Sequence, residues 1–243
     1  MSRNFDGSDD LITSTSSESL DDLPAYTIVV WMYNTGLGTA NGGYMYSKNP
    51  SGSAVGRKFN HDDFNVDYTL VFTANSTGSS GNPTRRTSNN FFVENKWYGM
   101  CATWDGSLTA ANIHIYKLEN GVFSEATYQT STDGITAVAS DAADTVVIGN
   151  RVGGARSFDG SLAFMQVWAR VLSNGEMIQA LLYPGSIMNN LRGFWPLWGS
   201  SSIEPDLSGN GNHGTVTGAI KGLTEPPING IFQVPRPELI HVG

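Results

Sequence analysis

SFDGSLAFMQVWARVLSNGEMIQALLY, residues 157–183, holds a turn, a strand and a capped helix in one run. Ser161 to Trp168 is dense in apolar and aromatic residues, the pattern of a covered strand. Ser173-Asn174-Gly175-Glu176 has the spacing of a capping box, with the serine hydroxyl accepting from a backbone N–H while the glutamate reaches back. Met177, Ile178, Leu181 and Leu182 then form one apolar stripe, and Pro184-Gly185 ends the helix. This is the one helix that the sequence supports well.

The same run repeats the opening of the chain: Phe158-Asp159-Gly160-Ser161 copies Phe5-Asp6-Gly7-Ser8. Since the first copy starts so near Met1, a secretion signal ahead of it has no room, and synthesis and retention in the cytoplasm of the producing cell are expected. Between the copies, YTIVVWMY (26–33) is apolar on both alternating faces and must be covered on both sides. Further strands are expected at DYTLVFT (67–73), WYGMCATW (97–104), NIHIYKL (112–118), VFSEATY (122–128) and TVVIG (145–149). Asp105-Gly106 and Asn120-Gly121 are turn pairs, and the second joins 112–118 to 122–128 as the clearest hairpin.

A chain of 243 residues with 15% charged residues and clustered Gly, Ser, Thr and Asn fits one all-β domain, assigned to residues 1–224. Residues 225–243 carry prolines 226, 227, 235 and 237, which exclude a helix or a central strand; they read as an extended arm with Ile231, Phe232 and Val234 as apolar docking anchors. With 14 basic against 22 acidic side chains, nucleic acid and anionic membrane are poor partners. No apolar run is long enough to span a bilayer. Cys101 is the sole cysteine, so no internal disulfide exists, and it reads as a buried thiol. The polar loop from Asn75 to Asn90 contains Arg85-Arg86, read as solvated surface or as an anion or carboxylate contact.

Taken in order, Phe5-Asp6-Gly7-Ser8 before YTIVVWMY, Trp97 leading to Thr103-Trp104-Asp105-Gly106, then Val147-Ile148-Gly149, and finally the run from Ser157, with its Leu172-Ser173-Asn174-Gly175-Glu176, resemble the laminin-G-like, concanavalin-A-like jelly rolls. The resemblance covers roughly residues 4–220. It implies an all-β, two-sheet antiparallel jelly-roll sandwich with one short helix. GFWPLWGSSSIEPDLSGNGNHGTVTGA (193–219) looks like the family's opening strand and loop yet follows the helix, so the order resembles a circular permutation.

This fold hosts lectins, glycanases, adhesion modules and virion proteins, so function must be read from sites. The paired carboxylates of a retaining glycanase, about 5 Å apart, are placed by the fold's glucanases on one strand as Glu-x-Asp-x-x-Glu or Glu-x-Asp-x-Glu, and neither pattern occurs. No Gly-x-Ser-x-Gly elbow accompanies His61, His114, His213 and His241. Enzymatic activity is therefore not expected. Asp206, Ser208, Asn210 and Asn212 place oxygens at alternate positions, as in the first half of a calcium loop; Thr217 stands where the bidentate glutamate would be, so Ca2+ would need ligands such as Asp6 or Asp159. A side-chain-capped turn is the other reading of these residues, since Asx and Ser side chains bond their own backbone. His61-Asp62-Asp63 is a solvated loop or a cation contact.

For glycan contact, Tyr44 and Tyr46 in the Gly-rich NGGYMYSKN are the candidate exposed rings, while Trp31, Trp97, Trp104, Trp168 and Trp195 are assigned to the core. Phage proteins of this pattern imply a non-enzymatic structural component of a bacteriophage virion, a capsid decoration or a head or tail appendage. Other virion proteins would be its partners, a homo-oligomer would be one form, and loops 36–52 and 75–90 would be its glycan-adhesion surface. A soluble, calcium-dependent lectin module is the alternative, with glycan hydrolysis behind both.

Overall fold

The two Phe-Asp-Gly-Ser copies are strand neighbours. In the computed structural model Phe5 stands opposite Gly160 and Asp6 opposite Asp159, and the Phe5 and Phe158 rings meet edge to face at 6.4 Å. The structure describes residues 1–14, 18–48, 56–62, 67–74 and 81–228. Ile231, Phe232, Val234 and His241 lie outside the described residues, as does Asp63.

The strands in chain order are β1 (Arg3–Asp6), β2 (Leu11–Ser14), β3 (Tyr26–Asn34), β4 (Tyr44–Lys48), β5 (Arg57–Asp62) and β6 (Thr69–Thr73). They continue with β7 (Thr84–Thr87), β8 (Trp97–Trp104), β9 (Ile113–Glu119), β10 (Val122–Glu125), β11 (Tyr128–Thr132) and β12 (Val146–Ile148). After β13 (Asp159–Trp168) and helix α1 (Asn174–Leu182) come β14 (Leu191–Trp195), β15 (Ile203–Glu204), β16 (Gly214–Thr217) and β17 (Ile220–Lys221). One sheet runs β10-β9-β8-β3-β13-β1-β17, with β14 also on β13; the other runs β11-β7-β6-β5-β4-β12-β2-β16-β15. Every pairing is antiparallel. This is the expected two-sheet sandwich with one helix.

Alternation along β3 explains why both of its faces are apolar. Ile28, Val30 and Met32 enter the core between the sheets. Val29 and Trp31 turn outward into a second core beneath α1, where the Trp31 indole donates to the Leu181 carbonyl at 2.9 Å. The helix carries the complete capping box: Ser173 accepts from the Glu176 backbone N–H, and the Glu176 carboxylate accepts from the Ser173 N–H. Arg170 also pairs with Glu176. Arg170 first and then the Ser173 N–H hold the Glu176 carboxyl down to about 2.

β13 shares one edge between two short strands. β1 takes residues 159–162 and β14 takes 165–168. Between them Phe164, at φ 52, donates its N–H to the Pro196 carbonyl. β17 then pairs with β1, Lys221 opposite Arg3, Gly222 donates to the Ser2 carbonyl, and the Met1 ammonium pairs with Glu225 at 3.0 Å. The described start and end of the chain are therefore adjacent.

Three local expectations need correction. The strand expected over 122–128 breaks at Ala126-Thr127, where the chain leaves one sheet for the other; Asn120 and Gly121 do form the hairpin, both at positive φ. Arg85 and Arg86 lie in a strand, not a polar loop: Arg85 sits 3.4 Å over the Tyr128 ring and donates to the Ala111 and Ile113 carbonyls, and Arg86 pairs with Asp62. Trp97 is half-buried, packed against the second core with its ring tilted toward Tyr33, whereas the other four assigned tryptophans are fully in the core.

Candidate functional site

The outward face of the nine-stranded sheet is polar. One cross-strand row reads Thr215, Thr13, Val147, Ser47, Lys58, Thr73, Thr84. The next row reads Tyr44, Asn60, Val71, Arg86. Tyr44 and Tyr46 would share a face in a regular strand, but the register of β4 against β5 shifts between them. Tyr46 consequently points inward, its ring 6.0 Å from Tyr26 in the core, and burial pushes its phenol up. Tyr44 remains outward but only 8% exposed, so neither tyrosine is the open platform expected from the sequence.

What surrounds Tyr44 is a fixed set of polar groups. Its N–H donates to the Arg156 carbonyl at 3.1 Å, and Lys58 Nζ lies 5.9 Å from its ring centroid. Asn60 donates Nδ2 to the His61 carbonyl, while its Oδ1 is buried without a partner among the described residues. Burial first, and the nearby arginines next, act on the Tyr44 phenol in opposite senses, with burial dominating and raising it. The loop bearing Arg151 and Arg156 is locked by Asn150, fully buried, whose Oδ1 accepts both arginine backbone N–H groups at 2.8 and 3.0 Å. Ser47 ties that loop to β4 by donating to the Asn150 carbonyl. Sequence reading missed Lys58, Asn60, Arg151 and Arg156; the signal available was two arginines flanking Gly153-Gly154 after an asparagine.

The Asp206 loop is a capped turn. Asp206 Oδ1 accepts from the Phe194 and Ser208 N–H groups, and Oδ2 from the Ser208 hydroxyl and the Asn212 N–H, all at 2.8–2.9 Å. Asn210 and Asn212 donate their amides to the Arg192 carbonyl, Asn210 also to that of Leu191. The carboxylate oxygens that Ca2+ would need are thus committed to donors. Asp6 and Asp159 cannot complete the set: Asp159 begins β13, whereas Leu191 stands opposite Trp168 at its other end, roughly 30 Å away at strand rise. The donor set does not fit calcium.

Other sequence candidates resolve similarly. His61 is fully buried, its Nε2 accepting from the Gly43 N–H at 3.0 Å, and Asp62 is held by Arg86. His114 pairs with Glu125, and His213 accepts from the Asp206 N–H. Burial pushes the Cys101 thiol well above its ordinary value, which suits an inert core residue. Asp6, Asp9 and Asp10 bring carboxylate oxygens within 4.8 Å of one another, but Asp10 accepts the Asp6 N–H and Asp6 accepts that of Ser8, so two of the three brace their own turn. A cavity of about 350 Å³ opens at the other end of the sandwich, lined by Asp22, Leu23, Pro24, Trp104 and Val138 among others. Among the described residues no helix is long and apolar enough to cross a membrane.

No curated protein sequence matches the chain. Among solved structures, a Bacteroides ovatus protein named for carbohydrate binding is similar over 93% of this chain and 60% of its own, at 17% identity and TM-score 0.60. The enzymatically active domain of tailspike protein 2 from bacteriophage CBA120 is similar over 81% of this chain and 33% of its own, at 10% identity and TM-score 0.50. The chain thus spans about three-fifths and one-third of these relatives. The family profile of the concanavalin A-like lectin/glucanases superfamily, in its laminin G form, matches residues 6–177; with the two-sheet sandwich and its capped helix in place, the chain belongs to this family.

Proposed function

We propose that the chain is a carbohydrate-binding jelly roll that holds its ligand without cleaving it, on the outward face of the nine-stranded sheet around Tyr44. The observation that carries this is Tyr44 paired opposite Asn60 on that face, with Lys58 two residues along the same strand and its Nζ 5.9 Å from the Tyr44 ring centroid, and with a buried Asn60 carbonyl oxygen that has no partner among the described residues. Such an oxygen is costly unless a ligand or water reaches it, and an amide beside an aromatic ring is the equipment that sugar hydroxyls use. A panel of immobilised glycans, probed with the full chain with and without Ca2+, should retain it equally under both conditions and release glycans of unchanged length. Shortened glycans would replace this reading with hydrolysis, and no retention across the panel would remove it.

The finer reading is a virion component, with glycan adhesion as its task in the particle. The occurrence of this fold in a phage tailspike supports it. In gradient sedimentation of native producer lysate the chain should travel with capsid protein in stoichiometric amounts. Recovery only as free protein would leave the soluble lectin reading.

A further inference from the structure

Lys48 and Arg57 stand directly opposite each other where β4 pairs with β5, and both side chains are completely buried. Alternation puts Lys48 on the same face of β4 as Tyr46, which belongs to the core. Two cations side by side inside a sandwich, with the Tyr26 and Trp104 ring centroids each 5.5 Å from the guanidinium, are costly to keep charged. Two carboxylates meet them. Asp141 Oδ1 lies 3.1 Å from Lys48 Nζ and Oδ2 lies 3.2 Å from an Arg57 nitrogen, while Asp21 Oδ1 lies 2.8 Å from Nζ. Of the other acidic groups beside this loop, Asp22 spends its carboxylate on the Asp141 N–H and the Ser140 hydroxyl. Asp144 gives its N–H to the Asp141 carbonyl and makes no ion pair with Lys48 among the described residues.

An amine held between two carboxyl groups away from water is also the arrangement from which an amide forms. The two carboxylates differ in their surroundings. Asp141 is engaged by Arg57 and by the Asp22 N–H at 2.8 Å as well as by Lys48, which suits an anion that takes up a proton and returns it. Asp21 comes closest to Nζ and is 16% exposed, so water released there has a way out.

We propose that Lys48 and Asp21 condense spontaneously to an intramolecular amide, with Asp141 as the proton relay. Nζ passes one proton to the Asp21 carboxylate, and the resulting amine attacks Cγ of the acid. A second proton moves from Nζ through Asp141 to the departing hydroxyl, the Cγ–O bond breaks, and water leaves. Nζ keeps its remaining hydrogen as the amide N–H, Asp141 ends ionised as it began, and nothing is oxidised or reduced. The fold favours the step by holding the partners in contact. Condensation removes one buried cation and one carboxylate, and it leaves Asp141 to Arg57 alone. The link spans 27 residues of chain and restrains the unfolded state as a disulfide does. Chains that lack Asp141 never form it and keep two buried cations.

The test is the intact mass of the purified full chain after denaturation, followed by peptide mapping with chymotrypsin. The chain should be lighter than its sequence by one water, trypsin should not cut after Lys48, and one branched peptide should join Asp21 to Lys48. Asp21→Ala keeps the Lys48–Asp141 pair and should show its full sequence mass while remaining folded by circular dichroism. Asp141→Asn, which still accepts the Asp22 N–H but relays no proton, should fold and stay unbridged. A folded wild-type chain of full sequence mass would overturn the proposal. So would water lost elsewhere, as in a cyclised Asp-Gly pair, which leaves Lys48 open to trypsin. A branched peptide joining Lys48 to Asp141 would overturn the assignment of roles, and a bridged Asp141→Asn would overturn the relay.

Discussion

Asp141→Ala should lower the stability of the sandwich by about 3–5 kcal/mol, because it leaves two buried cations without their shared counter-charge. Lys48, Arg57 and Asp141 are all within 1% of complete burial. Asp141 Oδ1 lies 3.1 Å from Lys48 Nζ, and Oδ2 lies 3.2 Å from an Arg57 guanidinium nitrogen. Lys48 also reaches Asp21 at 2.8 Å and the Asp141 carbonyl. Arg57 sits 5.5 Å from both the Tyr26 and Trp104 ring centroids, so it has no route to water without opening the core. Asp141 and Asp22 additionally exchange backbone and carboxylate hydrogen bonds at 2.8 Å, and alanine would lose the one that Asp141 Oδ1 accepts. Urea unfolding of the variant is the measurement. The triple replacement Lys48→Met, Arg57→Met, Asp141→Leu should recover most of the loss, since apolar side chains of similar volume need no partner. A loss below about 1 kcal/mol for Asp141→Ala would mean that the two cations find other partners and that Asp141 is not what holds them in the core.

Glu204→Ala should be comparably damaging, by about 3–5 kcal/mol, and for a reason tied to chain order. Arg3, on the first strand, donates Nε to Glu204 Oε2 at 2.8 Å, both side chains being at most 1% exposed. Its other nitrogens donate to the Ala219 and Ser201 carbonyls, and Glu204 Oε1 accepts the Leu197 N–H. One ion pair thus joins the N-terminal strand to three points of the segment that follows the helix. Burial pushes the Glu204 carboxyl up despite Arg3. The pair therefore gains little over an apolar contact, while its rupture strands a guanidinium inside the sandwich. Hydrogen exchange should show the loss first in residues 3–6 and 220–221, whose pairing depends on that clasp. Unchanged protection there alongside lower global stability would assign the pair to general core stability and not to closure of the β1–β17 edge.

The family and most strands were legible because they rest on short-range pattern. β3 was readable because its apolar residues occupy both faces, and α1 because Ser173 and Glu176 stand at the reciprocal capping distance. The candidate site was less legible. Tyr44 was noticed, but its partners come from β5 and from a loop about a hundred residues later, and no local pattern announces that Asn150 will hold Arg151 and Arg156 against β4. The Asp206 loop left two readings open, a cation site and a side-chain-capped turn, and the structure shows the Asp206 oxygens accepting from the Phe194, Ser208 and Asn212 N–H groups and the Ser208 hydroxyl.

By itself, then, the sequence determined the sandwich, its helix and the burial of Cys101, because periodicity, capping and turn chemistry act between residues near in the chain. Only the tertiary structure decided which way Tyr44 and Tyr46 point, since a single register shift in β4 sends one ring outward and the other into the core. It also decided what stands beside Tyr44: strand pairing brings Asn60, and one buried asparagine brings the backbone of Arg151 and Arg156, from distant positions, because hydrogen-bond partners are chosen by distance in space, not in sequence.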